Sequence, residues 1–140
     1  MLAGLACAGL FLATATQADD RPELRIGVVS SVTGGASAIA TGAVAAINLM
    51  EERTTADASL PFRISFIKYD DGSDPARAVN ATRKLIQEDR VHLVICCTTT
   101  PASLAVNKVI EEERVPNLSL AAAASVIELL TPTAIPSRRR

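Results

Sequence analysis

Asp70, Asp71 and Asp74 stand in one short glycine-containing segment, Cys96 and Cys97 are adjacent, and Thr98, Thr99 and Thr100 follow them directly. Two neighbouring carboxylates can hold a divalent cation, but Mg²⁺ wants a further carboxylate or a phosphate. Asp74, followed by Pro75, reads instead as a helix N-cap with proline in the first turn. Zinc needs four ligands, and beside the cysteine pair the sequence offers a single histidine, His92. A nucleophilic thiolate needs a helper base, and a lone histidine on an apolar strand reads as a core residue. Both clusters are therefore read as structural, with no metal site, no cofactor and no catalytic residue. The threonines are different. Three hydroxyls precede a predicted helix, whose start carries free N–H groups and the positive end of the dipole, a setting that holds a carboxylate. Capping accounts for one of them, not three. Ala121, Ala122, Ala123 and Ala124 follow another predicted strand and offer backbone N–H and C=O groups with little side-chain bulk.

The elements that must position these groups alternate. Leu24–Val29 (LRIGVV) is a β-rich apolar run and predicts a buried strand. Val44, Ile47 and Met50, spaced by three, predict the inner face of a helix from about Ala40 to Arg53. In Phe62–Tyr69, Phe62, Ile64 and Phe66 fall on one face and Ile67 and Tyr69 on the other, as in a strand covered on both sides. A helix from Pro75 to about Asp89 presents Val79, Thr82, Leu85 and Ile86. Val91–Ile95 is a short apolar strand, and Thr100-Pro101 opens a third helix lined by Leu104, Ala105, Lys108, Val109 and Glu112. Pro116–Leu120 is the fourth strand. The order βαβαβαβ predicts a parallel sheet in a three-layer α/β sandwich. Ligands in such sheets bind outside the C-terminal ends of the strands. Four loops fall on that edge: 30–37, 70–74, 96–100 and 121–125. The first (SSVTGGAS) has neither the dinucleotide fingerprint nor the lysine of a phosphate loop, and reads as a tight turn.

Composition narrows the function classes. The chain has 140 residues, 14 Lys+Arg against 15 Asp+Glu, and only 3% aromatic residues. A near-neutral balance gives no long-range attraction to nucleic acid, and so few aromatics exclude a base-stacking platform. Residues 1–18 (MLAGLACAGLFLATATQA) are uncharged. Their apolar run Leu2–Ala13 is shorter than the roughly twenty residues of a membrane span, and Thr16-Gln17-Ala18 reads as a cleavage site, so 1–18 is read as a secretory signal. The positive region that normally precedes such a run is missing.

Four stretches together resemble a known family: LRIGVVSSVTGGAS at 24–37, YDDGSDPARAVNATRKLI at 69–86, TTTPASLAV at 98–106 and VPNLSLAAAAS at 115–125. The chain resembles the branched-chain amino-acid ABC-transporter solute-binding proteins, type I periplasmic binding proteins with a leucine-binding-protein domain. The resemblance implies a periplasmic ligand-capture protein, not an enzyme, that delivers a small amino acid to membrane permease subunits. It implies ligand-binding groups at Thr98, Thr99, Thr100, Ala121, Ala122 and Ala123, with Ala38 and Ile39 beside the cleft. Where the family carries Gly-Pro, Cys96-Cys97 places side chains at a point of backbone approach. The resemblance covers part of the family's first lobe, residues 19–125. The stretch 126–140, ending TPTAIPSRRR, is read as a divergent tail of a truncated chain. Two other readings are an inactive fragment of such a protein and a small Rossmann-like enzyme. No nucleophile–base pair or cofactor loop favours the enzyme.

Overall fold

A computed structural model of the chain describes residues 20–123, 125 and 126. The signal read at 1–18 and residues 127–140 of the tail lie outside them. The elements are β1 (Glu23–Ser30), α1 (Ser37–Ala56), β2 (Arg63–Asp70), α2 (Pro75–Gln87), β3 (Leu93–Cys96), α3 (Thr100–Glu113) and β4 (Asn117–Leu118). The strands form one parallel sheet in the order β2-β1-β3-β4. No described helix is long and apolar enough to cross a membrane.

Alternation along the strands sends side chains into two cores. Ile26, Val28 and Ile95 meet Ile47 of α1, with Leu24, Ile64 and Phe66 beside them. Val29, Val94 and Cys96 face the other way, onto Ala78 and Leu85 of α2 and Ala102, Val106 and Ile110 of α3, joined by Ile67 and Tyr69. The division of Ile64 and Phe66 from Ile67 and Tyr69 is as predicted, whereas Phe62 precedes the strand, and the three-layer α/β class holds. β1 lies beside both β2 and β3, and its buried second half is covered on both faces, which is why Ile26–Val29 is apolar without interruption. Gly27 allows α2 to lie close against it: a Cβ there would stand 2.8 Å from a Leu85 methyl.

Local signals set the helix starts. The Asp74 carboxylate accepts from the N–H groups of Ala76 (2.7 Å) and Arg77 (3.0 Å), a cap worth about 1 kcal/mol. Arg114 ends α3 in the left-handed region, where glycine is the usual residue.

Several expectations are corrected. α1 begins at Ser37, and Met50, placed on its inner face, is 40% exposed, because only Ala40 and Ile47 of this helix are buried. α3 buries Ala102, Ser103, Val106, Asn107, Val109 and Ile110 rather than the row through Leu104 and Lys108, since the smaller residues face α2 and the sheet. β3 starts at Leu93, after a turn in which Arg90 adopts a left-handed conformation. His92 is exposed rather than a core residue: its Nδ1 accepts from Arg25 N–H at 3.0 Å, and its own N–H donates to the Arg25 carbonyl at 2.8 Å. β4 shrinks to two residues, paired with β3 through Val94 and Ile95.

Candidate functional site

The loops that follow β1, β2 and β3 are tied to one another at the C-terminal edge of the sheet. The backbone N–H and hydroxyl of Thr33 both donate to the Asp70 carboxylate, which also accepts from Gly72 N–H at 2.9 Å. The Ser73 hydroxyl donates to the Thr33 carbonyl at 2.9 Å and accepts from Ala36 N–H at 3.0 Å. Gly34, with φ of 87°, lies so close to the second loop that a Cβ would stand 2.2 Å from the Gly72 carbonyl oxygen. On the other side, Ser31 N–H donates to the Thr98 hydroxyl at 3.3 Å. The β1–β2 pairing ends at Ser30 and Asp70, just beyond which the Asp71 N–H donates to the Ser30 carbonyl at 3.2 Å. Asp71, Ser31 and Thr98 are all buried beneath this edge. Asp71 closes the turn, accepting from Ser73 N–H at 2.8 Å through its carboxylate and from Asp74 N–H at 3.0 Å through its carbonyl.

Asp70 is therefore a brace between loops, and Asp71 holds the turn of its own loop. Among the described residues, no group of three or more His, Cys, Asp or Glu is placed as a metal ion would require. Burial pushes the Asp70 carboxyl up, but the hydrogen bonds from Thr33, Gly72 and Val32 together hold it below its ordinary value. A carboxyl depressed in the folded state contributes stability that is complete above its unfolded pKa, about 3.9, and is lost as pH falls through the folded value. Asp70→Asn should thus destabilise the chain at pH 7, and the gap from wild type should narrow below about pH 4. Urea titrations at pH 7, 4 and 3 measure it. A gap that widened on acidification would contradict this role.

The braced loops enclose an open cleft of about 1080 Å³. Gly35, Ala36 and Ile39 form one wall, Gly72 to Pro75 a second, Thr98 to Pro101 a third, and Ala122 and Ala123 a fourth. Thr98, Thr99, Thr100, Ala122 and Ala123 are brought together there. Ala121 does not line the cleft; its N–H donates to the Ser119 hydroxyl at 3.3 Å. Ile39 lines it and Ala38 does not. Cys96 and Cys97 are also absent from the lining. Both are fully buried in the core against the helices, joined as a vicinal disulfide across a cis peptide bond, and place no side chain in the cleft.

The three helix starts at this edge are not equivalent. α2 is capped by its own Asp74. At α1, the N–H groups of Ala36, Ser37 and Ile39 donate to the Ser73 hydroxyl, the Gly34 carbonyl and the Ala36 carbonyl. α3 is open: Thr99 at its N-cap makes no side-chain cap hydrogen bond, and Pro101 has no N–H to satisfy. Thr99 and Thr100 are half-buried at that start, whereas the Thr98 hydroxyl is engaged by Ser31. The walls at Ala36 and Gly72–Pro75 were not singled out from the sequence as site residues. Their backbone and short side chains carry no chemical signature, and the aspartates among them read as turn formers.

The family model described as "Periplasmic binding protein" matches residues 23–136. The chain belongs to the periplasmic binding protein family. Among solved structures, a solute-binding protein of an ABC transporter from Rhodopseudomonas palustris BisB5, in complex with 3,4-dihydroxybenzoic acid, is 26% identical with a TM-score of 0.68. The match covers 76% of this chain and 30% of that one. A leucine-binding protein from Thermotoga maritima is 26% identical with a TM-score of 0.64, over 70% of this chain and 27% of that one. A branched-chain amino-acid transporter substrate-binding protein from Streptococcus pneumoniae, in complex with isoleucine, has a TM-score of 0.71 at 21% identity, over 76% and 31%. That last likeness shows the fold alone. No curated protein matches the chain. The chain spans about 30% of the length of these periplasmic binding proteins.

Proposed function

We propose that this chain is the ligand-holding part of the first lobe of an extracytoplasmic solute-binding component of an ABC importer. Its ligand is a small carboxylate, with branched-chain amino acids the preferred class. The observation that carries the reading is the start of α3 on the wall of the cleft, where Thr99 and Thr100 are half-buried and no side chain caps the helix. A carboxylate there gains charge-assisted hydrogen bonds. The short alanine wall at Ala122 and Ala123 leaves room for the rest of the ligand, with Ala121 behind it, and Asp74 supplies negative charge for an ammonium. Ile39 offers an aliphatic surface. The ligands named for the similar proteins, leucine and a hydroxybenzoic acid among them, all carry a carboxylate. Because one of these is aromatic, an aromatic carboxylate is the second reading. The signal at 1–18 would deliver the chain to the periplasm, where permease subunits are its partners.

The test is an NMR titration of the isotope-labelled chain with leucine, isoleucine and 4-hydroxybenzoate. Binding on one lobe leaves much of the ligand in water, so a Kd of roughly millimolar is expected. The amides of Thr99, Thr100, Ala122 and Ala123 should shift and saturate. The double variant Thr99→Val/Thr100→Val removes two hydroxyls without removing a cap, and should weaken binding by about tenfold or more. Equal affinity in that variant, or shifts mapping elsewhere, would sink the assignment. A stronger response to 4-hydroxybenzoate than to leucine would favour the second reading.

A further inference from the structure

Two walls of the cleft, the threonines at 98–100 and the alanines at 122–123, come from separate loops, and a ligand touching both depends on their spacing. One buried side chain joins those loops. Ser103, in the first turn of α3 and 1% exposed, donates its hydroxyl proton to the Cys97 carbonyl at 3.3 Å. Its oxygen also lies 3.2 Å from the Ser119 hydroxyl, which accepts from Ala121 N–H at 3.3 Å. A serine hydroxyl has a single proton. With the Ser103 proton given to Cys97, Ser119 is the donor between the two hydroxyls. The chain therefore runs one way, from Ala121 N–H through Ser119 and Ser103 to Cys97. The backbone N–H of Ser103 also donates to the Thr99 carbonyl at 3.0 Å. Ser103 thus holds the backbone on both sides of Thr98, whose hydroxyl Ser31 N–H engages from the other side. Asn107, the other buried polar residue of α3, has no hydrogen-bond partner for either amide atom and takes no part. Among the described residues, Ser103 to Ser119 is the side-chain hydrogen bond that joins residues 119–123 to a helix.

We propose, resting on the reading of this cleft as a carboxylate site, that Ser103 is a positioning residue for ligand capture, whose hydroxyl sets the spacing between the threonine wall and the alanine wall. A carboxylate held at Thr99 and Thr100 gains the alanine wall only where that wall stands at the right distance. The sheet does not fix that distance, because the β3–β4 pairing ends at Leu118, before the alanines begin. The two hydroxyls do. Hydrogen bonds in such a chain polarise one another, so each serine is needed for the whole of it. Alanine at 103 would take this partner from both the Cys97 carbonyl and the Ser119 hydroxyl, and release the alanine loop from α3.

NMR on the isotope-labelled full chain tests this, first without ligand and then in titrations with leucine. Without ligand, Ser103→Ala should shift the Ala121, Ala122 and Ala123 amides and speed hydrogen exchange at Ala121 N–H by about fivefold or more. With leucine, Ser103→Ala and Ser119→Ala should each weaken binding by about fivefold. Ser119 is only half-buried, so its variant carries the test should Ser103→Ala disturb the core. The double variant should bind within about twofold of the weaker single, because both changes remove one chain. Ser119→Thr keeps the hydroxyl and should bind within about twofold of wild type. Ile47→Val trims the core on the other side of the sheet; it should unfold at lower urea yet bind leucine as wild type does, which separates positioning from a general loss of stability. A Ser103→Ala chain with the Ala121–Ala123 amides unmoved would overturn the proposal. So would leucine binding at Thr99 and Thr100 that is undiminished in Ser103→Ala, or weakened equally by Ile47→Val; the carboxylate reading of the cleft survives both results. A wild type with no saturable shift at Thr99 and Thr100, for leucine or for 4-hydroxybenzoate, would sink that reading and this proposal together.

Discussion

Replacing Gly34 with alanine is expected to destabilise the chain by about 2–4 kcal/mol, combining left-handed backbone strain with a steric clash. The clash cannot relax by moving a side chain. The added Cβ would meet the Gly72 carbonyl oxygen at 2.2 Å and the Ser73 hydroxyl at 2.7 Å, so the two loops must separate. Separation breaks the hydrogen bonds from Thr33 to Asp70 and from Ser73 to Thr33, and pulls two walls of the cleft apart. Gly35→Ala is the control: its Cβ would meet nothing within 4 Å and its φ needs no glycine, so the change should lie within about 0.5 kcal/mol of wild type. Urea denaturation of both variants decides. Equal midpoints for Gly34→Ala and Gly35→Ala would show that the loops are not packed as described.

Leu85→Ala should cost about 3 kcal/mol or more, because its side chain is fully buried between α2 and β1 and its loss leaves a cavity. Gly27→Ala should by itself cost about 1–3 kcal/mol, since the new methyl meets the Leu85 side chain at 2.8 to 3.2 Å. In the double variant the methyl enters the space that Leu85 vacates. The two changes should therefore be non-additive, with the pair at least 1 kcal/mol more stable than the sum of the singles predicts. Strict additivity would mean that Gly27 and Leu85 are not opposed across the helix–sheet contact.

The parts of the fold legible in the sequence are those where periodicity has one solution. In β2, Ile64 and Phe66 alternate with Ile67 and Tyr69, and a period of two admits no other division. Asp74-Pro75 fixed the start of α2 because both its capping signals act locally. α3 was ambiguous. Its apolar and small residues allow more than one inner face, and the choice falls to close packing against α2, which favours Ala102 and Ser103 over Leu104. β4 was overestimated because strand length depends on pairing, and only Asn117 and Leu118 pair with β3. At the site, the threonines were legible as hydroxyls before a helix. The role of Asp70 was not, because it depends on Thr33, a loop residue 37 positions earlier.

The sheet order also sets a timetable. β1 lies between β2 and β3, so both of its ladders wait for chain made later; the bond between Arg25 and His92 spans 67 residues. At 5–20 residues per second, a ribosome needs roughly 3–13 s to cover that distance. Every strand pair is parallel and distant in sequence, a topology that folds slowly even once synthesis is complete. Through that interval LRIGVV, with the apolar run Ile26–Val29, has both edges unsatisfied and is open to any chaperone or translocation factor that binds extended apolar chain. How long the nascent polypeptide stays competent to be threaded elsewhere is thus governed by where β1 sits in the sheet, not by how stable the finished domain is.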